Sequence, residues 1–210
     1  NYILAQIYQH EKEASLAIDQ YKKVLRSNAE YEMAFNAKMN IARMLDSGNS
    51  DRTKTKKQLL KMIKDDKNKE YLDQIYYTIA EMEMNSLDTI KAIENYMLST
   101  INSIENRPQK ALSFLALGEI YFAKKEYKNA KTNYDSTIFY MDTGFRSYKK
   151  AKQTQETLSD LVYNINIVEM QDSLQRLAGL PQAELNNVIN KIIQDLIENE
   201  REQEEEKRIK

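Results

Sequence analysis

The sequence predicts an all-α protein that is built from a helical hairpin repeated in tandem. Only four glycines and two prolines occur in 210 residues, far below the roughly 12% that these two residue types make up in an average protein. Apolar residues recur with the period of an α-helix. A small residue is followed twelve positions later by alanine and four positions after that by tyrosine, and this trio recurs along the chain. Its three copies are Ala5/Ala17/Tyr21, Ala80/Ala92/Tyr96 and Gly118/Ala130/Tyr134.

Four repeat units follow from this pattern, at residues 1–28, 35–68, 73–106 and 111–144. In the last unit, Gly118 and Ala130 are small enough to let two helices approach closely, and Tyr134 fills the wider gap beside them. The second unit is degenerate, because Leu59 and Ile63 stand where the alanine and the aromatic residue are expected. A turn-rich insertion, DSGNSD at residues 46–51, lengthens the connection between its helices.

Beyond Gly144 the trio stops but helical periodicity continues, which predicts a C-terminal helical extension at residues 145–198. A long helix is expected to end at Gly179-Leu180-Pro181, since glycine ends helices and proline favours a first helical turn. A final amphipathic helix follows. Its apolar face is formed by Leu185, Val188, Ile189, Ile192, Ile193, Leu196 and Ile197. Residues 199–210 are nearly all charged or polar, and they are predicted to be a solvated helix end or a disordered tail.

The composition argues against several classes of function. The formal net charge is −1, so the whole chain has no field that would attract nucleic acid or an anionic membrane. Without cysteine there is no disulfide or thiolate nucleophile. The mean hydropathy is −0.71 and no apolar run reaches 18 residues, so no membrane-spanning helix is predicted. Because the chain begins inside an apolar helical pattern without an initiator methionine, we expect further sequence upstream.

A basic segment at residues 52–69 carries eight Lys or Arg and two Asp, a local charge of +6. Its lysines surround Leu59, Leu60 and Ile63 as the polar face of a helix would. No aromatic residues are interleaved for base stacking. A solvated outer face is therefore the favoured interpretation, with an acidic protein partner, lipid headgroups and, last, nucleic acid as the alternatives.

Motifs for catalysis are missing from the sequence. There is no glycine-rich phosphate loop and no HExxH motif. The single histidine, His10, lies where the first turn is expected, without partners for a ligand or general-base role. Carboxylate pairs such as Glu81 and Glu83 point to different faces of a helix and cannot converge. We therefore expect a non-enzymatic protein without metal or cofactor.

The repeat unit resembles the tetratricopeptide repeat. The stretch FLALGEIYFAKKEYKNAKTNY at residues 114–134 has that family's bulky residue, Leu-Gly, Tyr, Ala and aromatic residue at matching offsets. The third unit departs from the pattern only at Glu83, where the family prefers tyrosine. The resemblance implies a tetratricopeptide-like α-solenoid of about four hairpins, followed by the long helix and the amphipathic helix. Solenoids of this kind mainly serve as binding surfaces.

In the resembling family, the first helix of each repeat lines a concave channel that holds a ligand. The matching positions here are half polar and half aromatic or aliphatic, a mixture that suits an extended peptide or a helix. The residues predicted to bind a partner are Tyr2, Gln6, Met39, Asn40, Arg43, Gln74, Tyr77, Thr78, Glu81, Leu112, Leu115, Glu119 and Phe122, with Gln9 and Asn36 beside them. Packing between neighbouring repeats is the alternative role for each of them. Tyr2, Gln74 and Thr78 stand where the subclass that binds chaperone tails has cations, so that subclass is disfavoured.

The segment after the repeats is similar to the PorW/SprE family of the Bacteroidetes type IX secretion and gliding motility machinery. The resemblance covers residues 111–200 and is carried by QDSLQRLA at 171–178, Leu180-Pro181, Ala183-Glu184 and Ile192-Ile193. It implies a non-enzymatic scaffold on the periplasmic side of the outer membrane, attached through a lipidated cysteine outside these residues. Its implied partners are the outer-membrane translocon and the periplasmic PorM/PorN complex. The alternative is a cytoplasmic regulatory module of a larger signalling protein.

Overall fold

The computed structural model describes residues 1–45 and 49–209, which form ten α-helices, one 3₁₀ helix and no strand. The all-α prediction is confirmed. The first hairpins comprise α1 (Tyr2–His10), α2 (Ala14–Arg26), α3 (Tyr31–Leu45) and α4 (Asn49–Ile63), followed by the 3₁₀ helix Asp66–Tyr71. The later helices are α5 (Leu72–Asn85), α6 (Thr89–Asn102), α7 (Arg107–Ala123), α8 (Tyr127–Tyr140), α9 (Tyr148–Ala178) and α10 (Gln182–Ile209).

The first eight helices pack as four successive hairpins. The helices α1 and α2, α3 and α4, α5 and α6, and α7 and α8 contact one another in pairs. Each pair also contacts the next pair, through α2 with α3, α4 with α5 and α6 with α7. The first helices lie side by side as well, because α5 contacts both α3 and α7. Residues 38 positions apart are therefore brought close to one another.

Three of the hairpins share one turn geometry. Two residues after the end of the first helix, each has a residue with left-handed backbone: Lys12 (φ 64°), Leu87 (φ 61°) and Lys125 (φ 62°). The next amide then bonds a carbonyl five residues back, as in Glu13 N–H to Tyr8 O at 2.9 Å, which is the Schellman ending of a helix. Asp88 bonds Glu83 and Glu126 bonds Tyr121 in the same way.

The connection in the second hairpin differs from its prediction. The insertion was expected to be turn-rich over residues 46–51, but Asn49 already begins α4, so residues 49–51 are helical. Residues 46–48 lie outside the described residues. The substitutions of the degenerate unit fill the core, because Leu59 is buried and Ile63 packs against the same cluster.

The small residues of the trio lie where helices cross most closely. Ala5, Ala17, Ala80, Ala92 and Ala130 are completely buried. A Cβ atom added to Gly118 would lie only 2.9 Å from Cδ2 of Tyr134, closer than van der Waals contact allows. The close approach of helices predicted at Gly118 and Ala130 is observed.

The chain divides into two compact units, Asn1–Ser159 and Asp160–Lys210. The first extends past residue 144, where the repeats were predicted to end. The reason is packing, since Ala151 and Leu158 of α9 join the cluster formed by Ala130 and Tyr134. Residues 145–159 thus belong physically with the hairpins, which shortens the predicted extension.

The second unit contains the end of α9 and all of α10. The predicted break is observed, because α9 ends at Ala178 and α10 begins at Gln182. The helix α10 continues to Ile209, so residues 199–209 form a helix rather than a disordered tail. Their described side chains are exposed, as expected for a solvated helix end.

Candidate functional site

The thirteen residues predicted to bind a partner all lie on the first helices of the hairpins. Tyr2 and Gln6 are on α1, and Met39, Asn40 and Arg43 are on α3. The helix α5 carries Gln74, Tyr77, Thr78 and Glu81, and α7 carries Leu112, Leu115, Glu119 and Phe122. Only some of these residues, which belong to α3, α5 and α7, lie around one common cavity.

That cavity, which we call the inner groove, has a volume of about 450 Å³. Arg43, Glu81 and Glu119 line it together with Tyr96 of α6, and Thr78 borders it without exposing any surface. Six further lining residues were missed by sequence reasoning, which used only family positions. They are Met82, Met84, Asn85, Ala116, Ile120 and Ala123. Four of them are alanine or methionine, small or flexible apolar residues whose pattern on α5 and α7 could have pointed to a wall of this kind.

Charged groups recur in the inner groove at one position per hairpin. Arg43, Glu81 and Glu119 are each 38 residues apart, so side-by-side helices bring them into one row. The Nε atom of Arg43 lies 3.3 Å from Oε2 of Glu81. Both side chains are about one-third exposed, so this ion pair contributes little to stability. Among the described residues, no cationic group forms an ion pair with Glu119, which leaves this end of the row acidic.

Tyr96 lines the inner groove, and the ring of Tyr77 packs against it. The rings of Tyr77 and Tyr96 meet edge to face, with centroids 5.3 Å apart. Burial raises the pKa of Tyr77 to about 12, and the nearby Glu81 carboxylate adds to the effect. Burial also raises the pKa of Tyr96, with further contributions from Tyr77, Glu81 and Glu119. Both phenols therefore stay protonated at neutral pH and can donate hydrogen bonds.

Three residues named in the groove prediction hold helices of the first hairpins together through Tyr21. The hydroxyl of Tyr21 donates to Oε1 of Gln9 at 2.8 Å and accepts from Nδ2 of Asn40 at 3.0 Å. The ring of Tyr2 packs edge to face against the ring of Tyr21 at 5.6 Å. Tyr2, Gln9 and Asn40 thus connect α1, α2 and α3, which is the packing role left open in the sequence analysis.

The prediction that Met39 and Thr78 are available to a ligand is wrong. Met39 is only 2% exposed and packs with Phe35 and Ile75 in the hydrophobic core. Thr78 has no exposed surface, and its hydroxyl donates to the Gln74 carbonyl at 2.9 Å. Helix rotation explains both cases, since these positions turn toward the adjacent hairpin.

The other predicted residues differ in how far they are exposed. Gln6 is exposed, whereas Gln74 and Leu112 are half-buried. Leu115 is also half-buried and packs against the cluster around Tyr134. Phe122 is 45% exposed, and its ring lies edge to face with Tyr127 at 5.9 Å. Phe122 is therefore the predicted aromatic residue with the most surface for an incoming side chain.

A buried polar seam between α5, α6 and α7 was not predicted. Asp73 is 1% exposed; its Oδ1 accepts from the Gln74 amide at 2.8 Å and its Oδ2 accepts from Ser103 Oγ at 3.1 Å. Ser99 Oγ donates to the Asp73 carbonyl and lies 2.7 Å from Ser113 Oγ. The spacing of Ser99 and Ser103 on one helix face was a sequence signal for this seam.

The other chemical candidates stay apart in the structure. His10 is exposed at the end of α1. In the basic segment, Lys56 pairs with the buried Glu83, while Lys54, Lys57 and Lys61 are exposed. Glu81 and Glu83 face different surroundings, as expected for alternate helix positions. Across residues 1–45 and 49–209, no three His, Asp or Glu side chains come together as metal ligands would.

The fold and the inner groove define the chain as an all-α protein of stacked helical hairpins. No protein-family model matches the chain, and no curated protein is significantly similar to it in sequence. None of the helices in the described part of the chain combines the length and hydropathy needed to cross a membrane.

Proposed function

We propose that this protein is a non-enzymatic scaffold that binds a segment of another protein in the inner groove. The observation that carries the proposal is the cavity of about 450 Å³, to which three successive first helices contribute Arg43, Glu81 and Glu119. A row of charges that crosses several hairpins can contact a bound peptide segment at several points along its length. A small-molecule site, in contrast, is usually more enclosed and more apolar.

The chemistry of the inner groove supports a peptide ligand. Glu81 and Glu119 can accept hydrogen bonds from main-chain amides or from basic side chains, and Arg43 can donate to carbonyl groups. Met84, Ala116 and Ala123, which are not buried, offer apolar contacts. Phe122 is outside the lining of the inner groove but next in sequence to the lining residue Ala123, and it provides an exposed aromatic anchor of the type that dominates binding energy in interfaces.

Site-specific photo-crosslinking in the native cell tests this proposal. A photoreactive residue at Phe122 should capture a protein partner, whereas the same residue at the exposed Thr132 of α8 should not. Glu119→Lys should reduce capture from Phe122 at least about tenfold, because it reverses the charge at the acidic end of the groove. Equal capture from both positions, or capture that is insensitive to Glu119→Lys, would contradict binding in the inner groove.

We further propose that the partner belongs to the type IX secretion and gliding machinery and that the protein acts on the periplasmic side of the outer membrane. The resemblance of residues 111–200 to the PorW/SprE family supports this assignment. Translocon or PorM/PorN-type subunits should be identified by mass spectrometry among the proteins crosslinked at Phe122. Recovery of cytoplasmic proteins alone would contradict the assignment and favour a cytoplasmic regulatory module.

A further inference from the structure

The second compact unit leaves a long apolar face exposed. Nine large apolar side chains of α9 and α10 between residues 167 and 197 are 36% to 58% exposed. They are Ile167, Val168, Met170, Leu174, Ile189, Ile192, Ile193, Leu196 and Ile197. Scattered exposed apolar residues are ordinary on protein surfaces, but residues that repeat along one face of a helix indicate an interaction surface.

The spacing of these residues is that of helices that pair with other helices. In α10, Leu185, Ile189, Ile192 and Leu196 follow one another at alternating steps of four and three residues. Tyr163, Ile167, Met170, Leu174 and Leu177 do the same in α9. This heptad pattern keeps one face of a helix against a partner helix. In α10, Val188 flanks this seam on one side and Ile193 and Ile197 flank it on the other, which widens the face beyond a single seam.

The exposed area is sufficient for a stable dimer. Nine large side chains at about half exposure present on the order of 800 Å² of apolar surface, which is what one partner contributes to a standard-size interface. A second copy of the same chain offers an equal and equally apolar face.

The charges of α10 select the direction of pairing. Residues 195–205 contain six acidic residues and one basic residue, whereas residues 182–194 contain one of each. In a parallel pair, the two acidic halves would lie side by side and repel each other. In an antiparallel pair, the two acidic halves lie at opposite ends of the seam, so this repulsion is avoided.

We propose that two copies of this chain associate through the apolar faces of α9 and α10, with their α10 helices antiparallel. The heptad register pairs Leu185 with Leu196 of the partner subunit and Ile189 with Ile192 of the partner subunit. Gln182 then lies beside Asn199 of the partner subunit. The contact uses no residue of the inner groove, so self-association and partner binding are separate properties.

Analytical ultracentrifugation of the full chain tests the association. The protein should sediment with twice the chain mass. The double substitution Ile192→Asp and Leu196→Asp should weaken dimerisation at least about 100-fold, because it places unpaired carboxylates in an apolar seam. The matched control, Asn187→Asp and Gln194→Asp, adds the same charge on the opposite face and should leave the dimer intact. A monomer in the unmodified protein, or a dimer that survives the first double substitution, would overturn the proposal.

Disulfide cross-linking tests the direction of pairing, and the lack of native cysteine makes it unambiguous. Gln182→Cys and Asn199→Cys proteins, mixed and oxidised, should form a disulfide between the two variants. Each variant oxidised alone should stay uncross-linked, because its cysteines lie at opposite ends of the seam. Efficient cross-linking of Gln182→Cys to itself would show a parallel pair and overturn the antiparallel arrangement.

Discussion

Asp73 is a carboxylate buried in the seam where α5, α6 and α7 meet. Burial raises its pKa above the ordinary value, although the Gln74 amide and Ser103 hydroxyl partly oppose this effect. The network holds the three helices in register, since Ser99 bonds the Asp73 carbonyl on one side and Ser113 on the other. The ionised Asp73 carboxylate therefore fixes the relative positions of the three helices, but burying its charge lowers the stability of the fold.

Stability should depend on pH through this residue. A raised folded-state pKa means that the native protein holds its proton more tightly than the unfolded chain. The resulting stabilisation is present at pH values below the unfolded pKa and is lost as pH rises through the folded pKa. Chemical denaturation at several pH values from 4 to 7 should show this decline for the unmodified protein.

The matched variant Asp73→Asn should lack that part of the pH dependence and be more stable at pH 7. The variant can keep the network. The Ser103 hydroxyl can donate to the Ser99 carbonyl, which lies 3.0 Å away, and its oxygen can then accept a hydrogen bond from the side-chain amide of the new asparagine. Asp73→Ala should instead lose about 1 to 3 kcal/mol, since it leaves the Gln74 amide without its acceptor. Parallel stability curves for the Asp and Asn proteins would contradict a raised pKa.

At the level of the elements, the turns of three hairpins use left-handed residues that are not glycine. Lys12, Leu87 and Lys125 each have a φ near +60°, a conformation that costs an L-residue about 1 to 2 kcal/mol relative to the right-handed form. Leu87 is nearly fully exposed, so its side chain regains little of this cost through packing. The Schellman hydrogen bonds hold the turn in place despite the strain.

Leu87→Gly should therefore raise the free energy of unfolding by about 0.5 to 1 kcal/mol. The relief of left-handed strain exceeds the added entropy of glycine in the unfolded chain. Thermal denaturation should show an increase of a few degrees. As a control, Met97→Gly, at a half-exposed position in the middle of α6, should lower stability by about 1 kcal/mol. The same sign for both variants would contradict the turn geometry.

Across the whole molecule, the apolar core consists of separate clusters between neighbouring hairpins. One cluster surrounds Tyr21, the next Ile79, the third Tyr96 and the last Tyr134. All four lie within residues 1–159, the first compact unit. Each hairpin is thus stabilised mainly by its neighbours, as in other repeat proteins.

Two truncations test whether the folded first unit ends near residue 159, as observed, or at residue 144, where the repeats were predicted to end. A chain ending at residue 166 retains Leu158 two turns away from its fraying terminus, and we expect cooperative unfolding close to that of the full chain. A chain ending at residue 144 loses Leu158 and Ala151 from the Tyr134 cluster. It should be less stable by about 2 to 5 kcal/mol, comparable to losing a buried leucine. Equal melting temperatures would place the boundary at residue 144 instead.

Sequence reasoning was most successful where the signal is local. The close contact of Gly118 with Tyr134 and the break before Gln182 both follow from residues near each other in the chain. It failed for Met39 and Thr78, because a family position fixes the helix but not its rotation toward the next hairpin. The Asp73 seam escaped it because Ser99 and Ser113 belong to different helices.

The sequence by itself determined the all-α class and the succession of hairpins, because helical period, small residues and turn spacing act within a few turns of chain. Only the tertiary structure decided that Arg43 pairs with Glu81, that Leu158 belongs to the first unit and that the face of α10 is exposed. These features depend on the distance and rotation between helices that are far apart in sequence, and packing alone sets both.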